Sequence, residues 1–166
     1  MYFGTLFPCG HNGKDVLDRL LRALPQATRF YDVNLRPGFD SPELVGELIR
    51  AAHVVKLNED ELRVVHRVAD LPADPVDFCR TGCRRFNWRA ACVTRGARGC
   101  VMSVGDDCVE ADGITVAVVD TVGAGDAFAA AFAHGIVCGW PVAAIASFAN
   151  RAGARVAGVA GAIADQ

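Results

Sequence analysis

The residues best suited to chemistry lie in the segment Asp120–Phe128, which reads D-T-V-G-A-G-D-A-F. The pattern predicts a strand that ends in a glycine-rich turn and is followed at once by a helix. The first turn of a helix leaves backbone N–H groups unpaired, and glycines let an anion approach those groups closely. Gly123, Ala124 and Gly125 are therefore predicted to form an anion hole. Asp126 lies at its mouth, where a carboxylate can serve as general base for a hydroxyl that attacks a phosphoryl group.

This segment has other interpretations. No G-K-[ST] sequence follows the glycines, so it is not a Walker A loop. The spacing Gly123-x-Gly125-x-x-Phe128 lacks the third small residue of a dinucleotide fingerprint, which disfavours a dinucleotide-binding module. Asp126 as the N-cap residue of the helix is an open alternative, because aspartate is common at that position.

Two further polar clusters follow predicted strands. Asn58 and Glu61 have the spacing of a capping box, with asparagine in place of serine or threonine. The functional alternative is that Glu61 helps to hold a hydrated Mg²⁺. Asp32, Asn34 and Arg36 come at the carboxyl end of another strand, where open α/β sheets bind ligands. For that cluster, an Asx turn beside a solvated arginine is the structural alternative.

Strand and helix patterns alternate along the chain. Apolar residues at helical spacing predict helices over residues 15–24, 42–52 and 58–68, and a weaker helix that ends at residue 86. The predicted strands cover residues 1–6, 28–33, 53–57, 90–94, 100–104, 108–110 and 114–119, with a hairpin turn at residues 106–107. This alternation predicts a layered α/β domain with a mostly parallel central sheet and an antiparallel hairpin at its edge.

The segment 127–150 contains no Asp, Glu, Lys or Arg, and a run of that length can span a membrane. However, Gly139-Trp140-Pro141 interrupts the run, and alanine predominates over leucine and isoleucine. His134 and Asn150 are also poorly suited to lipid. We therefore expect two buried helices joined by a tight turn, with small side chains packed closely against the sheet, and no membrane partner.

Length and composition indicate one globular domain. The chain has 166 residues, of which 52% are hydrophobic, and a net charge of −2. No basic excess points to a nucleic-acid partner. The seven cysteines include no C-x-x-C pair, so ordinary thiols in a reducing compartment are favoured over a zinc site. The N-terminus lacks a signal-peptide pattern, and we expect a cytoplasmic protein.

Together these motifs resemble the C-terminal part of the ribokinase-like, or PfkB, family of carbohydrate kinases. The segment Asp120–Phe128 is similar to the long second signature of that family. The other motifs occur in the order found in such kinases: Tyr2-Phe3-Gly4-Thr5-Leu6, Asp32-x-Asn34-x-Arg36, Lys56-x-Asn58-x-x-Glu61 and Val93-Thr94-x-Gly96-x-x-Gly99. The implied fold is a three-layer ribokinase-like one, in which residues 1–166 form a single, partial kinase domain.

The resemblance implies an ATP-dependent transfer of the γ-phosphoryl group to a hydroxyl of a sugar or sugar acid. Asp126 would be the catalytic base, and the backbone amides of residues 123–125 would stabilise charge on the phosphates. Asn58 and Glu61 would organise Mg²⁺ and phosphate through water. ATP and Mg²⁺ are accordingly the expected cofactors.

The same resemblance implies further nucleotide and cation contacts. Thr94 and Gly96 would line the nucleotide cleft, and Asn150 would border the adenine pocket. Asp120 and the Val122 carbonyl fall where many members of the family bind a monovalent cation such as K⁺. That cation is the third expected cofactor.

The acceptor side is less well defined by the resemblance. Asp32, Asn34 and Arg36 would face the acceptor, as in fructokinase-like and 2-keto-3-deoxygluconate-kinase-like members. The sequence departs from the family pattern at residues 7–11, which leaves the acceptor sugar open. The N-terminal half of the family and its lid have no counterpart before Asp32. A catalytically inactive remnant that at most binds nucleotide is therefore the alternative to an active kinase, and self-association as a homodimer is left open.

Overall fold

The computed structural model describes residues 1–36, 38 and 41–159. Its strands are β1 (Tyr2–Phe3), β2 (Phe30–Asp32), β3 (Val54–Asn58), β4 (Ala90–Thr94), β5 (Cys100–Val104) and β6 (Asp107–Ala111). They form one sheet in the order β1-β2-β3-β4-β5-β6. The first four strands run parallel, and β5 and β6 are antiparallel to their neighbours. The predicted mostly parallel sheet with an antiparallel hairpin at its edge is confirmed.

The helices are α1 (Leu6–Cys9), α2 (Gly13–Ala23), α3 (Pro42–Ala51), α4 (Glu59–Val68), α5 (Pro75–Phe86), α6 (Ala124–Val137) and α7 (Val142–Ala157). A short 3₁₀ turn, Gly96–Arg98, joins β4 to β5. Helices α2 to α5 confirm the predicted ones, with small shifts at their ends. Helix α3 begins at the predicted Pro42, where the side chain of Ser41 accepts a hydrogen bond from the Leu44 N–H.

The two faces of the sheet carry separate apolar cores. Tyr31 and Val55 belong to a core that includes side chains of α2, α3, α4 and α5. Phe30 and Val54, one residue earlier in each strand, pack instead with α6 and α7. Successive strand residues point to opposite faces, so a strand covered on both sides must be apolar throughout. The result is a three-layer arrangement of helices, sheet and helices.

The charge-free segment forms the predicted pair of helices, but only part of each is buried, and Val137 of α6 is 79% exposed. Helices α6 and α7 are joined by a tight turn in which Gly139 has a φ of 67°. They approach closely at Gly135, where an added Cβ would lie 2.7 Å from a side-chain carbon of Ile145. Within the described residues, no helix is both long enough and apolar enough to cross a membrane.

The predicted strand over residues 114–119 is wrong. This segment has no strand pairing, and Val118 and Val119 are 63% and 61% exposed. A β-branched run forms a strand only where another strand offers hydrogen-bonding partners. Here the Val119 and Asp120 N–H groups donate to the Ala157 carbonyl at the end of α7. The predicted strand over residues 1–6 is likewise shortened to β1, because α1 begins at Leu6.

Candidate active site

The polar clusters predicted from the sequence meet at one edge of the sheet. Strand pairing places Asp32 beside Lys56, and Asn58 beside Thr94. Because parallel strands end at the same edge, residues that are far apart in the sequence become neighbours there. Helices α4 and α6 both begin at this edge and supply the remaining polar groups.

Helix α4 is closed at its N-terminus by its own side chains. The Glu61 N–H donates to Asn58 Oδ1 at 2.9 Å, and the Asn58 N–H donates to Glu61 Oε2 at 2.8 Å. The predicted capping box is therefore confirmed. Glu61 Oε1 also accepts from the Leu35 N–H at 3.0 Å, which links the segment after β2 to α4. Burial raises the pKa of Glu61, and the two backbone donors partly oppose that rise.

Helix α6 begins at a glycine instead. Its N-cap residue is Gly123, which has a φ of 80° and makes no side-chain cap bond. Glycine suits this left-handed conformation because it has no Cβ. The preceding loop is held by an Asx turn, in which the Val122 N–H donates to Asp120 Oδ1 at 2.9 Å. The Ala124 N–H donates to the Thr121 carbonyl at 3.2 Å.

Asp126 is the third residue of α6, so its predicted alternative role as N-cap residue is wrong. Its side chain is exposed, and its charge is one of the influences that raise the pKa of Tyr2, after burial and the nearer Asp32. The N–H groups of Gly125 and Asp126 belong to the first helical turn, where no intrahelical carbonyl is available. An exposed carboxylate thus lies beside backbone donors that can receive an anion.

Asp32 belongs to a buried polar network. It is 3% exposed, and Lys56 Nζ lies 3.0 and 3.2 Å from its two carboxylate oxygens. The Tyr2 hydroxyl donates to Asp32 Oδ2 at 2.6 Å. Asn34 and Arg36, in contrast, are exposed beyond the end of β2. The structure therefore divides the predicted acceptor cluster into a buried carboxylate and two exposed side chains.

A cavity of about 500 Å³ opens beside the start of α6. This volume is typical of sites for small molecules, which span roughly 300–1,000 Å³. Several predicted site residues line it together, namely Asn58, Thr94, Gly96, Ala124, Gly125 and Asn150. Residues from three separate sequence motifs and from α7 thus share one cavity.

The other predicted site residues lie outside the lining of this cavity, and these are Gly123, Asp126, Glu61, Asp120, Asp32, Asn34 and Arg36. Gly123 and Asp126 flank the lining residues Ala124 and Gly125 on either side in the sequence. Glu61 is hydrogen-bonded to the lining residue Asn58. Gly123, Asp126 and Glu61 are thus each next to or bonded to a lining residue.

One wall of the cavity was not expected from the sequence. Ile114, Thr115, Val116 and Val118 line it, although this segment was predicted to be a strand within the sheet. Their β-branched alternation was the available signal. That pattern identifies an extended chain, but it does not distinguish a paired strand from an unpaired cavity wall.

Two glycines allow chain segments to cross at the same wall. An added Cβ would lie 2.0 Å from the Ala111 carbonyl oxygen at Gly99, and 2.0 Å from the Ala97 carbonyl oxygen at Gly113. Such distances exclude any side chain at either position. Gly99 was part of a recognised motif, whereas Gly113 stands alone between two strand-like runs and was not identified.

Helix α7 completes the cavity. Asn150 is 9% exposed, and its Nδ2 donates to the Asp112 carbonyl at 3.0 Å, which ties α7 to the chain beyond β6. Gly153, Ala154 and Ala157 also line the cavity. The small side chains of this helix were expected to permit close packing, and here they also leave space for a ligand.

The cysteines do not form a metal centre within the described residues, where no group of three His, Cys, Asp or Glu side chains could hold a metal ion. None of the seven forms a disulfide. Burial raises the pKa of Cys83 to about 11, and it also raises the pKa values of Cys79 and Cys92. These buried thiols are therefore neutral and pack as small apolar groups.

Comparison with known proteins shows extensive similarity to kinases. The sequence profile of the pfkB family of carbohydrate kinases matches residues 1–166. A fructokinase of Rhizobium leguminosarum bv. trifolii is 31% identical over 139 residues, which is 77% of this chain and 40% of that protein.

The fold is also similar to that of solved kinase structures. The aminoimidazole riboside kinase of Salmonella enterica, in complex with aminoimidazole riboside and an ATP analogue, has a TM-score of 0.78 at 25% identity, covering 97% of this chain and 57% of its own. The fructokinase of Vibrio cholerae O395, bound to fructose, ADP and calcium, has a TM-score of 0.80 at 20% identity, covering 97% and 55%. The chain thus spans about half the length of these relatives. The predicted three-layer ribokinase-like α/β fold is confirmed.

Proposed function

The chain belongs to the pfkB family of carbohydrate kinases, and from that premise we propose that it binds ATP and phosphorylates a hydroxyl of a sugar or sugar acid. One observation carries the proposal: Ala124 and Gly125, in the first turn of α6, which has no side-chain cap, line the cavity, and Asp126 is the next residue in the sequence. Backbone donors for phosphate and a carboxylate for proton removal are thereby adjacent, as phosphoryl transfer to an alcohol requires.

The nucleotide base fits the apolar part of the cavity. Ile114 and Val116 offer apolar contact area, and the small residues of α7 that also line the cavity leave room for the base. Thr94 and Gly96 line the same space from the end of β4. In this arrangement Asn150 borders the base and holds the wall in place through its hydrogen bond to the Asp112 carbonyl.

The phosphates fit the start of α6. The amides of residues 123–125 are proposed to receive them, and the Ala124 N–H would then exchange its bond to the Thr121 carbonyl for one to phosphate. The helix dipole adds partial positive charge at this first turn. Glycine at positions 123 and 125 keeps side chains away from that approach. The same donors can stabilise the charge that develops on the transferred group.

The acidic residues near the site suit a magnesium ion held largely by water and phosphate. Mg²⁺ usually keeps several waters and takes one or two carboxylates. Asn58 and Glu61 would provide the protein's share, since each carboxylate oxygen of Glu61 accepts one backbone bond and retains a second lone pair. When bound, the ion would neutralise negative charge on the phosphates. Asp120 and the Val122 carbonyl are proposed to hold a monovalent cation such as K⁺.

Asp126 is proposed to be the catalytic base. Its carboxylate accepts the proton of the attacking hydroxyl while that oxygen forms a bond to the γ-phosphorus. The bond between that phosphorus and the bridging oxygen of ADP breaks in the same transfer. The position of Asp126 in the first turn of α6 keeps its exposed carboxylate next to the phosphate donors.

The acceptor is proposed to lie near Asn34 and Arg36, whose exposed side chains can bind hydroxyl or carboxylate groups. Asp32 would act on this side indirectly, since its oxygens are taken by Lys56 and Tyr2. The fructokinase relative makes fructose the first acceptor to test.

Two measurements test the proposal. Calorimetric titration of the chain with ATP and with NAD should show binding of ATP alone, and the reverse preference would contradict a kinase. ADP release should then be followed with fructose, other hexoses and keto-sugar acids, and an acceptor-dependent rate is the expected result.

A nucleotide-binding protein without kinase activity is the second candidate. The acceptor side favours it, because Asn34 and Arg36 are exposed and the nearby apolar side chains of Leu6 and Phe7 are each 52% exposed. ATP binding with no ADP release for any acceptor would support this candidate and contradict the kinase.

A further inference from the structure

Lys56 is a buried cation to which the site described above assigns no task. It is one of only two lysines in the sequence, and it is 7% exposed in the middle of β3. Its ammonium group forms an ion pair with Asp32, also buried, at 3.0 Å. Replacing a buried ion pair by apolar side chains of similar volume often costs no stability. Folding stability therefore does not explain the pair, and the position of Lys56 in the structure is the better guide to its role.

The ammonium group of Lys56 lies close to Gly125 in the first turn of α6. A Cβ built on Gly125 would be 3.6 Å from Lys56 Nζ, and among the described residues no other atom outside the adjacent backbone of α6 lies within 4 Å of it. Asp32 is farther from this position than Lys56. The ion pair is consequently oriented with its positive end toward the helix start and its negative end toward β2.

This orientation reinforces the helix dipole. The N-terminus of α6 already carries partial positive charge, and the Lys56 charge near Gly125, which the more distant Asp32 offsets only in part, adds to it. Because both members of the pair are shielded from water, salt screens their field much less than that of surface charges. An anion bound at the first turn would therefore experience attraction from Lys56 as well as from the backbone.

We propose that Lys56 is a further residue of the phosphate site, which stabilises the bound phosphates through the first turn of α6. Asp32 holds the ammonium group in place, and the Tyr2 hydroxyl holds Asp32. The proposal rests on the proposed function, since it concerns the same phosphate position.

A double variant separates charge from burial. Asp32→Asn combined with Lys56→Met removes both charges, so neither is left unpaired in the interior, and it nearly preserves the side-chain volumes. The chain offers a matched control in its other lysine: Lys14 on α2 pairs with Asp18 at 2.7 Å, outside the cavity lining. Asp18→Asn with Lys14→Met removes the same two kinds of charge from a pair that does not line the cavity.

The measurement is the ratio of ATP affinity to adenosine affinity, from calorimetric titration with Mg²⁺ present. Adenosine reports the nucleoside part of the cavity, and the ratio isolates the contribution of the phosphates. The Asp32/Lys56 double variant is expected to lower this ratio about tenfold, with adenosine affinity unchanged. The Asp18/Lys14 control is expected to keep the wild-type ratio.

Different results overturn different claims. If the wild-type ratio is above one and the Asp32/Lys56 variant keeps it, Lys56 has no role at the phosphates. An equal loss of ATP and adenosine affinity also overturns that role, because it indicates a structural effect. A wild-type ratio near one contradicts the proposed phosphate site itself. Should the double variant fail to fold, Asp32→Asn alone leaves Lys56 uncompensated and is expected to raise the ratio. An unchanged or lowered ratio there overturns the proposal equally.

Discussion

Helices α4 and α6 begin at the same edge of the sheet but satisfy their first turns in opposite ways. At α4, the side chains of Asn58 and Glu61 close the helix end with reciprocal hydrogen bonds. At α6, the N-cap is a glycine with no side chain, and the described structure shows no side-chain cap. Since an unsatisfied first turn costs stability unless another group pairs with it, the open end at α6 is suited to a ligand.

The charges around the two helix ends also make α6 the better place for an anion. The first turn of α4 carries Glu59, Asp60 and Glu61, whose acidic side chains disfavour direct contact between an anion and that helix end. The first turn of α6 carries Asp126 as its acidic residue and has the Lys56 ammonium group close to it. Backbone geometry and charge thus distinguish a structural helix start from one that can bind an anion.

The largest effect is expected at Asp126. In an active form of the protein, Asp126→Asn should lower kcat by about 10²–10⁴, the usual contribution of a general base, and leave ATP affinity intact. Steady-state kinetics and ATP titration check both parts. Unchanged turnover would contradict the role of Asp126 as general base.

A glycine-to-alanine change at α6 should improve folding and impair binding. Gly125→Ala fits sterically, because its Cβ meets Lys56 Nζ at an ordinary 3.6 Å. Helix propensity favours alanine by up to about 1 kcal/mol, so the free energy of unfolding should be unchanged or higher. The methyl group would separate Lys56 from the proposed phosphate position, and ATP affinity should fall about tenfold. Chemical unfolding measures the change in stability, and calorimetry measures the change in ATP affinity. A Gly125→Ala variant that loses both stability and ATP affinity would contradict the view that the start of α6 is adapted to a ligand.

At α4 the corresponding change should reduce stability. Asn58→Ala removes the acceptor of the Glu61 N–H and should lower the free energy of unfolding by about 1 kcal/mol. Asn58→Ser keeps a capping oxygen and is the control, with a smaller loss expected. Urea unfolding without ligand measures this, and equal stability of all three forms would show that the capping box is dispensable.

The smallest effect is a pH dependence from Glu61. Its pKa is raised in the folded protein, chiefly by burial, so the native state keeps a proton at pH values where the unfolded chain has released it. Between the ordinary and the raised pKa, the unfolded state binds fewer protons, and stability therefore falls as pH rises.

The variant Glu61→Gln cannot titrate at that position and should lack this part of the decline. Urea unfolding at several acidic pH values compares the slopes. Identical slopes for Glu61→Gln and the wild type would show that Glu61 titrates alike in the folded and unfolded states.

Local patterns were sufficient for most of the secondary structure. Helical spacing located α2 to α5, and the Gly139-Trp140-Pro141 interruption located the turn between α6 and α7. The capping box at Asn58 and Glu61 was also recognisable, because its residues are three apart and interact within one turn. Such features depend on neighbours in the sequence, so the sequence suffices to predict them.

Features that depend on distant partners were missed. The β-branched residues 114–119 look like a strand, but no strand pairs with them, and they form a cavity wall instead. Asp126 was a plausible N-cap residue until the left-handed conformation of Gly123 placed the helix start three residues earlier. The close crossing of Gly99 and Gly113 likewise involves backbone segments that no local pattern relates.

The sequence by itself therefore predicted the family of this protein and the motifs of its candidate site, because motif spacing and periodicity are properties of residue order. Only tertiary structure decided which of those residues share one cavity, that Asp32 is buried between Tyr2 and Lys56, and that Lys56 lies close to Gly125. The physical reason is that strand register and helix packing bring together residues separated by tens of positions. Those contacts determine burial and charge, and hence what each side chain can do.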